Sequence, residues 1–100
     1  MKPESLTTLL KNSSSSLNAA AMFSALLRTG HGQMVEYEST TGSGELKSFF
    51  ALTESGLAYG TNRSTLHEFK TEARFYPDKF RELLIIVAQA ILAEAEAVSG

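Results

Sequence analysis

Leu46-Lys47-Ser48-Phe49-Phe50-Ala51-Leu52-Thr53-Glu54-Ser55-Gly56-Leu57-Ala58-Tyr59-Gly60 is the stretch on which the reading of this chain turns. Its first half is apolar and β-rich through Phe49, Phe50 and Leu52, and Ser55-Gly56 and Gly60-Thr61-Asn62 are turn signals on either side of Leu57 to Tyr59. Upstream, Gln33 to Ser39 alternates, with Met34, Glu36 and Glu38 on one face and Val35 and Tyr37 on the other. Thr40-Thr41-Gly42-Ser43-Gly44 lies between the two runs. Two such runs joined by a glycine-bearing loop of about five residues predict a β-hairpin.

Ahead of the hairpin stand two helical patterns. Pro3 and Glu4 open the first, which carries Leu6, Leu9 and Leu10 on one face and ends at Asn12 and the serines Ser13 to Ser16. One of those serines is a candidate N-cap for the second, Leu17 to Arg28, which Thr29-Gly30 closes with a glycine suited to a left-handed cap. After the hairpin, Thr71 to Tyr76 reads as a short third strand. Pro77-Asp78 then opens a long last helix over 78–98, with Asp78 as its natural N-cap. Helix, turn, helix, hairpin and a long terminal helix make one α+β domain over residues 1–100, winged-helix-like in layout.

Charge is distributed unevenly. Net charge is −2, against the surplus of Lys and Arg that a dedicated nucleic-acid binder carries. Residues 1–34 have Lys2, Lys11 and Arg28 against Glu4, and residues 61–81 have Arg63, Lys70, Arg74, Lys79 and Arg81 against Glu68, Glu72 and Asp78. The hairpin region holds Lys47 against Glu36, Glu38, Glu45 and Glu54, and the tail has Glu82, Glu94 and Glu96 with no base. A phosphate-facing surface would therefore use the first and third segments. Absence of cysteine excludes disulfides and thiolate zinc sites. The apolar run Leu83 to Leu92 is too short to span a bilayer, and Met1-Lys2-Pro3-Glu4 leads into polar residues, so a cytoplasmic protein without membrane contact is expected.

Three pieces resemble the C-terminal domain of phage antirepressor proteins, shared with KilA-type phage regulators. Ser16 to Gly30 looks like that family's recognition-helix segment, in which a leucine pair (Leu26-Leu27) precedes glycine, with Gln33 soon after. Ala51 to Gly60 is similar to the family's LTE.G..YG stretch, and Ala73-Arg74-Phe75-Tyr76-Pro77-Asp78-Lys79-Phe80 resembles its strand-to-helix junction, with Phe where Trp is commoner. Phe23-Ser24 stands where the family has asparagine in the recognition helix. The resemblance implies a winged-helix-like phage or prophage regulator of transcription that binds double-stranded DNA.

On that reading Asn18, Ser24 and Arg28 face a groove, while Lys70 and Arg74 meet phosphates. Against it, an alanine-rich helix with one base is equally a core helix. Phe69, Phe75 and Tyr76 among the bases could stack on a single strand or simply pack under the hairpin. The rival reading keeps the winged shape but makes the chain a protein-interaction module, an inhibitor or adaptor of a host or phage regulatory protein. The acidic hairpin favours this one. No nucleophile motif, P-loop or metal-ligand spacing occurs: His31 and His67 read as surface histidines and Glu36 and Glu38 as a solvated edge, so no enzyme, cofactor or metal is expected. The last helix is apolar on more than one stripe, which predicts a homodimer through Leu83, Ile86, Val87 and Ile91, the alternative being a central helix wrapped by its own domain.

Overall fold

The computed structural model describes residues 2–39, 44–67 and 69–98. Among the described residues the chain is α+β: three α-helices, the last of them long and C-terminal, and two small antiparallel sheets. Helix α1 covers Leu6–Asn12 and α2 covers Ala19–Thr29. Strands β1 (Gly32–Glu38) and β2 (Leu46–Leu52) form one hairpin, and β3 (Gly60–Ser64) and β4 (Thr71–Phe75) the other. Short 3-10 turns at Gly56–Ala58 and Pro77–Lys79 precede β3 and α3 (Phe80–Ala97). No helix among the described residues is long and apolar enough to cross a membrane.

Local chemistry accounts for the helix ends. Ser5, following Pro3 and Glu4, caps α1, its hydroxyl accepting from the Thr8 N–H. Asn18, not a serine, caps α2: its Oδ1 accepts from the Ala21 N–H at 2.8 Å, which the exposed end of the helix would otherwise leave unpaired. The serine run serves the turn instead, with Ser13 closing α1 and Ser15 Oγ accepting from the Leu17 N–H. Gly30 takes φ 81° and ends α2 as expected, and the next N–H, that of His31, reaches back to the Leu26 carbonyl. Asp78 does not cap α3. It lies in the 3-10 turn, and the cap position falls on Lys79, whose side chain makes no capping bond.

The predicted hairpin forms with Gly32 opposite Leu52 and Glu38 opposite Leu46. Its tip, Thr40 to Ser43, lies outside the described residues. The expected third strand is β4, but its partner is a surprise: Gly60-Thr61-Asn62, which reads as a turn, is strand β3. Tertiary contacts override the turn signal. The Asn62 side chain accepts from the Leu52 N–H at 2.8 Å and donates to the Leu52 carbonyl at 3.0 Å, so one amide completes the backbone pairing at the end of β2. At Gly60 an added Cβ would collide with the Arg74 carbonyl, so only glycine permits this pairing distance.

The core lies between the helices and the inner faces of the hairpins. Leu6, Leu9 and Leu10 of α1 meet Met22 and Leu26 of α2, Leu52 and Phe75 of the strands, and Phe80, Leu83, Val87 and Ala90 of α3. Thr53 fastens β2 to the end of α2: its N–H donates to the His31 carbonyl at 3.0 Å and its hydroxyl to the Gly30 carbonyl at 2.6 Å. The same hydroxyl accepts from the Gly56 N–H, and Gly56 is so close to His31 that a Cβ there would strike the His31 carbonyl oxygen. The Thr53-Glu54-Ser55-Gly56 turn is thus shaped by a close backbone crossing.

Asn62→Ala should lower the unfolding free energy by ~2–3 kcal/mol, since it leaves both a donor and an acceptor of Leu52 unpaired in a part-buried place. Gly56→Ala should cost ~2–4 kcal/mol through the backbone clash. Urea unfolding curves check both, with the midpoint moving and the slope unchanged.

Candidate interaction surface

The residues expected to contact DNA occupy two separate parts of the fold. On α2, Asn18 is engaged as the cap. Ser24 is exposed and flanked on the solvent side by Ala20 and Leu27. Arg28, the helix's one charge, pairs with Glu94 of α3 at 3.1 Å. What remains facing solvent is small and close to neutral. Such a face can approach another surface closely, but it offers phosphates little attraction.

Lys70 and Arg74 sit with the second hairpin. Arg74 of β4 pairs with Glu72 two residues before it at 3.2 Å, and its Nε is buried with no hydrogen-bond partner among the described residues. The Lys70 ammonium lies 5.7 Å from the centre of the Tyr37 ring, a cation–π contact. Tyr37 stands ~17 Å along β1 from Gly32, the strand's first residue and the one nearest α2. The fold therefore does not gather the five residues on one basic face.

It gathers rings instead. Phe49 and Tyr37, neighbours on one face of the first hairpin, have centroids 5.9 Å apart. Tyr37 meets the edge of His67 at 5.3 Å, and His67 meets Phe69 at 6.0 Å. This series crosses from one hairpin to the connection of the other and ends at exposed Phe69. In that connection the Thr65 hydroxyl lies within donating distance of both the His67 and the Lys70 carbonyl and accepts from the His67 N–H, and His67 Nδ1 accepts from the Phe69 N–H. Phe75 and Tyr76 do not join Phe69 in an exposed patch: Phe75 is fully buried in the core and Tyr76 is half-buried. Tyr37 and Phe49 were detectable in principle, because period-2 alternation puts Tyr37 on the face of Val35, and Val35 pairs with Phe49. His67 was not, since nothing local ties it to Tyr37.

The opposite face of the first hairpin is acidic and apolar. Met34, Glu36 and Glu38 on β1 share it with Phe50, Ser48 and Leu46 on β2, and Met34 and Leu46 are exposed. Phe50 turns inward, 4.5 Å from Phe23 of α2 and over Gly32. Beside these rings a cleft of about 270 Å³ opens between α1, α2, β2 and β4, apolar within and rimmed by Ser5, Thr7 and Glu72. His31 is half-buried, hydrogen-bonded through Nδ1 to the Thr29 hydroxyl at 2.7 Å, with Tyr59 at its edge. No group of three or more metal-ligating side chains occurs among the described residues.

On α3 the four residues expected at a dimer interface divide. Leu83 and Val87 are fully buried in the chain's own core and cannot meet a partner without unfolding it. Ile86 is half-buried and Ile91 is exposed. Ile85 and Leu92, at 51% and 58%, are more exposed than either. Set against protein-family models, curated proteins and solved structures, the chain matches none.

Arg28→Ala should cost no more than ~1 kcal/mol in urea unfolding, because the side chains of the Arg28–Glu94 pair are 57% and 39% exposed and water screens their attraction.

Proposed function

We infer that this chain is a small regulatory module of the phage type that acts by binding another protein, in a winged-helix-like arrangement that no longer serves DNA. The observation that carries this reading is the face of the first hairpin: Met34, Glu36, Glu38 and Leu46 together, apolar and acidic, with no base among them. In a winged helix the hairpin lies beside the phosphate backbone, where a row of carboxylates is repelled. The same row attracts a basic and apolar protein surface, and Met34 and Leu46 supply the area that such a contact buries.

Arg28 supports the reading from the other side. The single base on α2 answers to Glu94 within the chain, so a phosphate would have to compete for it. The likeness of Ala51 to Gly60 to the phage antirepressor stretch bears on the scaffold more than on the ligand. Thr53 and Gly56 of that stretch are occupied in joining β2 to the end of α2, and neither is free for a ligand.

Nucleic-acid binding keeps one observation in its favour. Lys70 and the Phe49–Tyr37–His67–Phe69 ring series, with Lys47 opposite Tyr37, place bases beside half-buried rings that end at exposed Phe69, and bases beside rings are how single strands are held. One experiment weighs the two. The protein is titrated into labelled random duplex and single-stranded DNA at ~50 mM salt, where phosphate contacts are strongest, and read by anisotropy. The expected result is no binding to either at ~100 µM protein, in the range of weak non-specific contacts. Duplex binding that weakens with salt and with Arg28→Ala would overturn the protein-binding reading. Single-strand binding lost in Lys70→Ala would transfer the function to the ring series.

A further inference from the structure

Helix α3 has two apolar stripes on opposite sides, and its own domain covers only one. Phe80, Leu83, Val87 and Ala90 point into the core, and Glu94 continues their line to reach Arg28. With 3.6 residues per turn, the opposite side carries Arg81, Glu82, Ile85, Ala88, Gln89, Leu92 and Glu96, with Ala95 at its margin. Ile85 is 51% and Leu92 58% exposed, and Ala88 and Ala95 are exposed as well. Ile85, Ala88, Leu92 and Ala95 follow the alternating three- and four-residue spacing of a coiled-coil seam. Alanine at every second position lets two helix axes approach closely.

We propose that this stripe pairs with the same stripe of a second copy, the two α3 helices running antiparallel. Charge identifies the occupant. The stripe has Arg81 at its start, with Glu82 on its flank, and Glu96 at its end, and among the described residues neither Arg81 nor Glu96 makes an ion pair within the chain. Placing Ile85 of one copy against Leu92 of the other brings Arg81 opposite Glu96, twice over by the two-fold symmetry. A parallel pair would set like charges against each other at both ends. The helix dipole adds to the preference: the last turn of α3 carries acid and no base, at the end where the dipole is already negative. An antiparallel neighbour brings the positive start of its own helix, with Arg81, to that place. Gln89 falls beside the two-fold axis, where a polar side chain fixes register. The pairing uses a different face from the acidic hairpin and stands whether or not that hairpin binds a partner.

Sedimentation equilibrium of the full chain at ~10–100 µM tests it, a range that captures micromolar self-association. The wild type is expected to be a dimer. The double variant Ile85→Asp and Leu92→Asp, both at exposed positions, is expected to sediment as a monomer with an unchanged helical circular dichroism spectrum. Arg81→Glu and Glu96→Arg should each weaken association about tenfold, because each removes two exposed pairs and adds repulsion. Combined, they should restore it to within about threefold of the wild type. A wild-type monomer throughout that range would overturn the proposal, as would a dimer that survives the two aspartates. A dimer indifferent to the single charge reversals would overturn the antiparallel arrangement, since in a parallel pair each reversal merely exchanges one like-charge contact for another.

Discussion

The end of β2 is where the fold is joined, and the joint is an amide. Leu52 is buried, its side chain in the core, and its backbone N–H and carbonyl point toward the second hairpin, where no strand continues the ladder. Both groups would be stranded in a part-buried place, at a cost comparable to the lost hydrogen bonds themselves. Asn62 supplies one donor and one acceptor at the spacing of a peptide and completes the pairing. One residue later Thr53 does the same toward α2, through the His31 and Gly30 carbonyls. The hairpins and the helices are thereby tied through two adjacent residues. Glycine at 56 and at 60 follows from this joint, because each lies where another backbone passes too close for a Cβ.

The opening part of this architecture can be read from sequence because its signals are local. Leucine spacing in α1, the glycine after α2 and the alternation in β1 each act within a turn or two of chain. The second hairpin is harder to read. Gly60-Thr61-Asn62 carries strong turn chemistry, and what makes it a strand is Arg74 and Leu52, fourteen and ten positions away. The start of α3 fails in a related way. Pro77-Asp78 is a fine opening for a helix, but the chain uses it for a 3-10 turn, with Phe80 the first helical residue and buried in the core.

Candidate site residues were less legible than the elements that carry them, and for one reason. Exposure and charge are properties of a partner as much as of a residue. Arg28 looks like a free base until Glu94 is placed beside it, and Asn18 looks like a base reader until its oxygen is found on the Ala21 N–H. Lys70 and Tyr37 are thirty-three positions apart and belong to different hairpins, so their contact depends on how the hairpins pack. The acidity of the first hairpin survived the change from sequence to structure intact, because alternation alone puts Glu36 and Glu38 on the side of Met34.

Helix α3 shows the same limit in its sharpest form. Two apolar stripes on one helix say that two surfaces must be covered, but periodicity cannot say which surface faces home. Leu83 and Val87 are as good a seam as Ile85 and Leu92 by residue type, and only the fold assigns the first pair to the core. The two glutamates near the end of the helix divide along the same line. Glu94 lies on the inner side and is answered by Arg28, which draws the end of α2 onto α3. Glu96, two residues on, is turned about 200° around the helix and meets no base among the described residues. An acid at the negative end of a helix dipole is weakly destabilising where it stands. Beside Ile85 and Leu92 its position becomes favourable once a second α3, reversed in direction, brings Arg81 alongside it.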